Sequence, residues 1–177
     1  MLQYRTLRAE ELCRDLFKDF IRRQEVTKCW RKVADQWVVK EDPFIDDWSE
    51  ADYQTLVSCL KNTIATGGFV YGAFEDGSLK GFVSVEPVLF GGEQSYLDLS
   101  SIHISEDLRN RGIGTELFLA AKDWARKKGA RKLYISAHSA VESQAFYQKM
   151  GCVQAEVPSQ EHVAKEPYDC QLECRLE

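Results

Sequence analysis

Arg109-Asn110-Arg111-Gly112-Ile113-Gly114-Thr115, running directly into Glu116-Leu117-Phe118-Leu119-Ala120-Ala121, is the stretch on which the fold turns. A strand-like run precedes it at residues 95–104, and Ser105-Glu106-Asp107 makes a polar break between the two. Leu117, Phe118, Ala121, Trp124 and Ala125 recur at helical spacing, so the glycines sit where a loop enters a helix. First-turn N–H groups of a helix have no internal partner and carry the positive end of its dipole. Glycines allow a ligand to approach that backbone closely. The result is an anion cradle suited to a phosphate or pyrophosphate, with Arg109 and Arg111 at its rim. The spacing alone is also met by an ordinary glycine-containing helix start.

On either side the pattern is readable. Upstream, residues 69–74 and 79–85 form two strands joined by a tight turn at Asp76-Gly77, with Gly81 marking a bulge or a close approach. Downstream, Arg126-Lys127-Lys128 and Gly129 close the helix, which suits its negative end. A strand follows at 132–137, a short helix at 141–150 ending at Gly151, a strand at 152–157, a loop at 158–167 and a last strand at 168–176. Nearer the start, residues 2–7 alternate as a strand. Leu12, Leu16, Phe17, Phe20 and Ile21 predict an amphipathic helix over residues 10–23. Residues 24–48 are expected to be part helix and part loop. Ser49 then caps a helix to about Ala65, which Thr66-Gly67-Gly68 stops. A strand–helix–strand unit after Gly112 implies one parallel pair, while the earlier hairpin implies antiparallel pairing.

The chain has 177 residues, enough for a single domain spanning residues 1–177 with a substantial core. Its 44% hydrophobic and 29% charged content is that of an average globular protein. A net charge of −5 argues against a nucleic-acid-binding surface. No apolar run approaches a membrane span, and no apolar leader follows Met1, so a cytoplasmic protein is expected. The six cysteines are scattered without a C-x-x-C pair, and the three histidines do not cluster with them, so no metal site is expected.

The element order together with the opening stretch resembles the GNAT superfamily of N-acetyltransferases. The family's pyrophosphate loop has the form Arg/Gln-x-x-Gly-x-Gly/Ala, and residues 109–114 match it. A second match is Glu142-Ser143-Gln144-Ala145-Phe146-Tyr147-Gln148-Lys149-Met150-Gly151-Cys152, similar to the family's short-helix motif. The resemblance is tight over residues 69–156. It implies a mixed α/β, mostly antiparallel sheet of six or seven strands with helices on both faces, splayed between the fourth strand (95–104) and the fifth (132–137). It also implies acetyl-CoA as cosubstrate. Ile102 and Ile104 would meet the pantetheine arm and acetyl group. The amides of Arg109, Asn110, Arg111, Gly112, Ile113, Gly114 and Thr115 would hold the pyrophosphate, and Ser143 and Phe146 would touch the cofactor across the cleft. Many relatives carry an Asn where this chain has Ala140. A Rossmann fingerprint does not fit, because Leu117 stands where its third glycine should, and a P-loop Gly-Lys-Ser/Thr is absent.

By the same resemblance, Tyr147 would protonate the leaving thiolate. Proton acceptors for the amine are sought on the fourth strand: Asp98, Ser100 through water, or His103, with Asp98 preferred. Simple alternation would place Tyr96, Asp98, Ser100 and Ile102 on one face unless a bulge intervenes. The acceptor would be a small-molecule or peptide amine. It would be met by the segment 24–67 and the loop at 158–168, where Glu41, Asp42, Asp46, Asp47, Glu161, Glu166 and Asp169 form an acidic rim and Trp30, Trp37 and Trp48 supply apolar walls. A homodimer through the C-terminal strands is a further family expectation. The competing reading is a non-catalytic acyl-CoA-binding regulatory module on the same fold.

Overall fold

The computed structural model describes residues 1–177. Its strands are β1 (Leu2–Thr6), β2 (Arg23–Val33), β3 (Gln36–Asp47), β4 (Phe69–Glu75), β5 (Ser78–Val85), β6 (Tyr96–Ile104), β7 (Lys132–Ala137), β8 (Val153–Gln154) and β9 (Cys170–Arg175). Its helices are α1 (Glu50–Ala65), α2 (Ile113–Lys127), α3 (Val141–Lys149) and α4 (Gln160–Lys165). Seven strands form one sheet in the order β1-β4-β5-β6-β7-β9-β8, and β2-β3 form a separate hairpin. Within the large sheet only β6–β7 is parallel. The expected fourth and fifth strands are therefore β6 and β7, because the hairpin adds two strands before them.

Helices cover both faces. α1 begins with a reciprocal cap, in which the Asp52 N–H donates to Ser49 Oγ (3.2 Å) and the Ser49 N–H to Asp52 Oδ2 (2.8 Å). Its Tyr53, Val57 and Leu60 pack with Phe17, Phe20, Leu79 and Phe82 in one core layer. On the opposite face α2 buries Ile113, Leu117, Phe118, Ala121 and Ala125 against Val83, Leu97, Leu99 and Leu133. Lys80 is the extra residue of a bulge, since Ala73 pairs with Gly81 but Phe74 with Leu79. Gly81 is also a close approach: a Cβ there would lie 3.0 Å from Ile113 and 3.2 Å from Leu117. α2 therefore sits directly on the strand. All six cysteines are free and four are buried. No helix is long and apolar enough to cross a membrane.

Three local expectations are corrected. Residues 10–23 do not form one helix. They make two short 3₁₀ turns, Ala9–Glu11 and Arg14–Phe17, broken at the extended Cys13 (φ −155°). The Arg8 N–H donates to Glu11 Oε2 (2.8 Å) and closes the first turn locally. Phe17 packs edge-on to Phe82 and Phe20 packs tilted against it, rather than both lying along a single helical stripe, and Ile21 is left exposed. Residues 24–48 are not part helix but the β2–β3 hairpin. Its turn places Ala34 (φ 49°) and Asp35 (φ 64°) in the left-handed region without glycine or asparagine, which hid the usual hairpin signal. Finally, the loop 158–167 contains α4, whose Ser159 Oγ accepts from the His162 N–H, and the strand at 152–157 shortens to β8.

Candidate active site

β6 and β7 pair only at Tyr96–Lys132, Leu97–Leu133 and Asp98–Tyr134. Beyond Asp98 they part, and a cleft of about 1100 Å³ opens between them. A bulge coincides with the split: Ser84 opposes Ser101 while Val85 opposes Leu99, which leaves Ser100 as the extra residue. Its hydroxyl donates to Glu86, and Ser84 Oγ lies 2.7 Å from Ser100 Oγ, so the bulge is tied down by polar groups. The bulge also changes the faces. Ile102 and Ile104 pack with Leu97 and Leu99 on the α2 side. His103 lies on the other side against Phe82 and Trp48. Unbroken alternation, which put Ile102 with Asp98, is therefore wrong past Ser100. The edge of β6 facing β7 has no strand partner beyond Asp98 and is free to bond a ligand.

The loop that enters α2 forms one wall of the split. Asn110 (φ 64°) and Gly112 (φ 82°) are both left-handed. Gly112 is the N-cap and offers no side-chain cap, so the first-turn amides of α2 stay open. The Arg109 Nε donates to the Ile104 carbonyl (3.4 Å). A Cβ on Gly114 would lie 3.1 Å from the Phe146 ring. Ile102, Ile104, Arg109, Asn110, Gly112, Ile113, Gly114 and Thr115 line the cleft, and Ser143, Phe146 and Tyr147 join them from α3. Arg111 does not: it is exposed and lies outside the cleft lining. Ala140 is buried against Val26 and Cys29 of the hairpin, which leaves no space for a larger side chain at that position.

Tyr147 is 8% exposed, with its ring against Phe118 and Phe146. Its hydroxyl has no protein partner yet is not sealed from solvent, so it opens into the cleft. Burial raises its pKa, and the Cys152 and Asp169 charges add to this, so the phenol stays protonated. Burial, then Arg22, Arg109 and His138, push His103 well below its usual pKa. Its neutral Nδ1 accepts from Arg22 Nε (3.1 Å), which fits a positioning part better than a base.

Asp98 lines the cleft, and its Oδ2 lies 3.0 Å from His162 Nε2. The sequence drew no attention to His162, whose only signal was a Ser-x-x-His helix start at Ser159. The pair ties α4 to β6 and occupies one oxygen of the carboxylate expected to accept a proton. The bond to Asp98 raises the His162 pKa against the opposing effect of burial, with Asp98 and Glu161 charges helping and Lys165 opposing. A raised histidine pKa stabilises the folded state below the unfolded value of about 6.5, and that contribution is lost as pH climbs through the folded value. Hydrogen-exchange protection of α4, corrected for intrinsic rate, is therefore expected to fall as pH rises above about 6.5. The fall should vanish in His162→Gln; a flat wild-type profile would remove the clamp.

The acidic rim is divided. Glu161, Glu166 and Asp169 line the cleft together with Gln24 and Glu25 of the hairpin. Asp46 pairs with Arg22 (3.1 Å) and Asp42 with Arg31 (2.7 Å), while Glu41 and Asp47 lie away from the cleft lining. Trp48 packs on Tyr53 and His103, and Trp30 and Trp37 take no part in the cleft wall.

A sheet split at its single parallel pair, with an uncapped glycine helix start at the split, is an acetyltransferase architecture. Residues 26–152 match the model of the Acetyltransferase (GNAT) family, and the chain belongs to that family. Solved structures agree in fold. A nourseothricin acetyltransferase superposes with a TM-score of 0.71 at 16% identity, covering 99% of each chain. A protein assigned as a streptothricin acetyltransferase from Bacillus anthracis, in complex with acetyl coenzyme A, gives 0.70 at 17%, covering 98% of this chain and 96% of its own. PaiA N-acetyltransferase from Thermoplasma acidophilum, in complex with coenzyme A, gives 0.59 at 18%, covering 99% of each. No curated protein sequence matches.

Proposed function

We propose that the cleft binds acetyl-CoA and passes its acetyl group directly to a primary amine in a ternary complex. The observation that carries this reading is that the open α2 amides and the unpartnered Tyr147 hydroxyl face one cleft where β6 loses its neighbour. The pyrophosphate would sit on the amides from Arg109 to Thr115, with Ser143 and Phe146 across from it. The free edge of β6 at Ile102 and Ile104 would bond the pantetheine arm. An N–H of that edge, at Ile104, would stabilise the oxyanion as the amine attacks. Holding both substrates there supplies most of the rate through orientation. Tyr147 gives its proton to the thiolate as the C–S bond breaks and recovers one from the new amide nitrogen. Its raised pKa is matched in direction by the thiolate, since burial favours the neutral form of both.

The acceptor side is the hairpin and α4, so residues 24–67 would contribute to it through Gln24 and Glu25. Glu25, Glu161, Glu166 and Asp169 favour a cationic amine: a small amine, an amino-acid derivative, an aminoglycoside-like compound or a peptide amine. The names of two structural neighbours add nourseothricin and streptothricin to the acceptors worth trying. Titration calorimetry with acetyl-CoA, NAD and ATP tests the donor. Acetyl-CoA alone is expected to bind, and binding of NAD or ATP with none of acetyl-CoA would end this reading.

A further inference from the structure

Asp169 stands immediately before β9, partly buried, and lines the same cleft as Tyr147. A chain of hydrogen bonds with one direction leads to it. The Ser159 N–H donates to the Tyr134 hydroxyl (2.8 Å), which donates to Gln171 Oε1. That fixes the Gln171 amide, whose Nε2 donates to Ser136 Oγ (3.0 Å). The Ser136 hydroxyl hydrogen is thereby directed to Asp169 Oδ2 (2.9 Å). One carboxylate oxygen is held and the other has no protein partner, yet it is not sealed from the cleft. Asp98 also has one oxygen held, but its partner is the His162 imidazole rather than a neutral hydroxyl.

We propose that Asp169 is the catalytic base that takes the proton from the acceptor ammonium, aimed by Ser136 and Gln171 as positioning residues; this rests on the acetyl-transfer reading above. The free Asp169 oxygen takes one proton from R–NH₃⁺. The released lone pair forms the C–N bond at the thioester carbonyl. The C–S bond then breaks, Tyr147 protonates sulfur and regains a proton from nitrogen, and Asp169 later loses its proton to water. The products are an acetamide, free thiol and one proton.

The surroundings suit the task. Burial raises the Asp169 pKa to about 6, Glu166 adds to the rise, and Ser136 and His162 oppose it. Such a group is ionised at neutral pH yet more basic than an ordinary carboxylate of about 3.9. The other groups near it are Tyr147 from α3 and Cys170, the first residue of β9. Arg31 of β2 bonds Ser139 and Asp42 and stacks on Tyr168, so its charge is committed nearby.

The test is the pH profile of kcat/KM for an acetylated amine in the wild type, Asp169→Asn and Ser136→Ala, with acetyl-CoA affinity and thermal melting measured alongside. The wild type should show a rising limb near pH 6. Asp169→Asn should lose the limb and fall about 100-fold or more at neutral pH, with acetyl-CoA affinity kept. Ser136→Ala removes a bond that lowers the Asp169 pKa, so its limb should move to higher pH. This arm decides the matter if Asp169→Asn fails to fold. A wild-type rate and limb in Asp169→Asn, or an unmoved limb in Ser136→Ala, would overturn the assignment while acetyl transfer stands. A wild type that binds acetyl-CoA but acetylates no amine would overturn the parent reading and the base with it.

Discussion

Gly114→Asp is expected to abolish acetyl-CoA binding. Gly114 lies in the first turn of α2 with its Cα facing Phe146, and a Cβ there would already stand 3.1 Å from that ring. An aspartate would set a carboxylate against the pyrophosphate in a site whose attraction comes from uncapped N–H groups. Two like charges about 4 Å apart at an effective dielectric of about 20 repel by about 4 kcal/mol. That is about a thousandfold in Kd. Gly114→Ala separates shape from charge: it asks only for a shift of the Phe146 ring, so its loss should be far smaller. Calorimetry with acetyl-CoA reads both, and undiminished binding by the aspartate variant would move the pyrophosphate elsewhere.

Tyr147→Phe is expected to lower kcat about 100-fold or more while leaving the KM for acetyl-CoA and the melting temperature near wild type. The ring supplies the packing against Phe118 and Phe146, and the hydroxyl makes no protein hydrogen bond that the fold would lose. Only the proton donation is removed. A kcat equal to wild type would strip Tyr147 of that role without touching the fold.

Much of the architecture was legible because its signals are local. The capping box at Ser49, the Asp-Gly turn and the glycine helix start each announce themselves within a few residues. The parallel β6–β7 pair then followed from strand–helix–strand order. What stayed hidden was decided by tertiary contacts. The β2–β3 turn uses Ala34 and Asp35 at positive φ, and no local preference predicts that. Phe17 and Phe20 have helical spacing, but Phe82 rewards two short turns instead.

The site divides along the same line. The cofactor-side residues came from two contiguous motifs, and all but Arg111 line the cleft. The face of Ile102 was misjudged because the bulge at Ser100 depends on which residues of β5 lie opposite. His162 meets Asp98, and Ser136 meets Asp169, only in three dimensions, through α4 against β6 and β7 against the start of β9, so spacing could not join them.

The most direct test of the central claim is release of free thiol from acetyl-CoA by the wild-type protein, measured with and without each amine of an acceptor panel. The account predicts release that depends on an amine, with one thiol freed per acetylated amine. Acetyl-CoA that binds but gives up no thiol to any amine would contradict it, and would leave a non-catalytic acyl-CoA-binding module on the same fold.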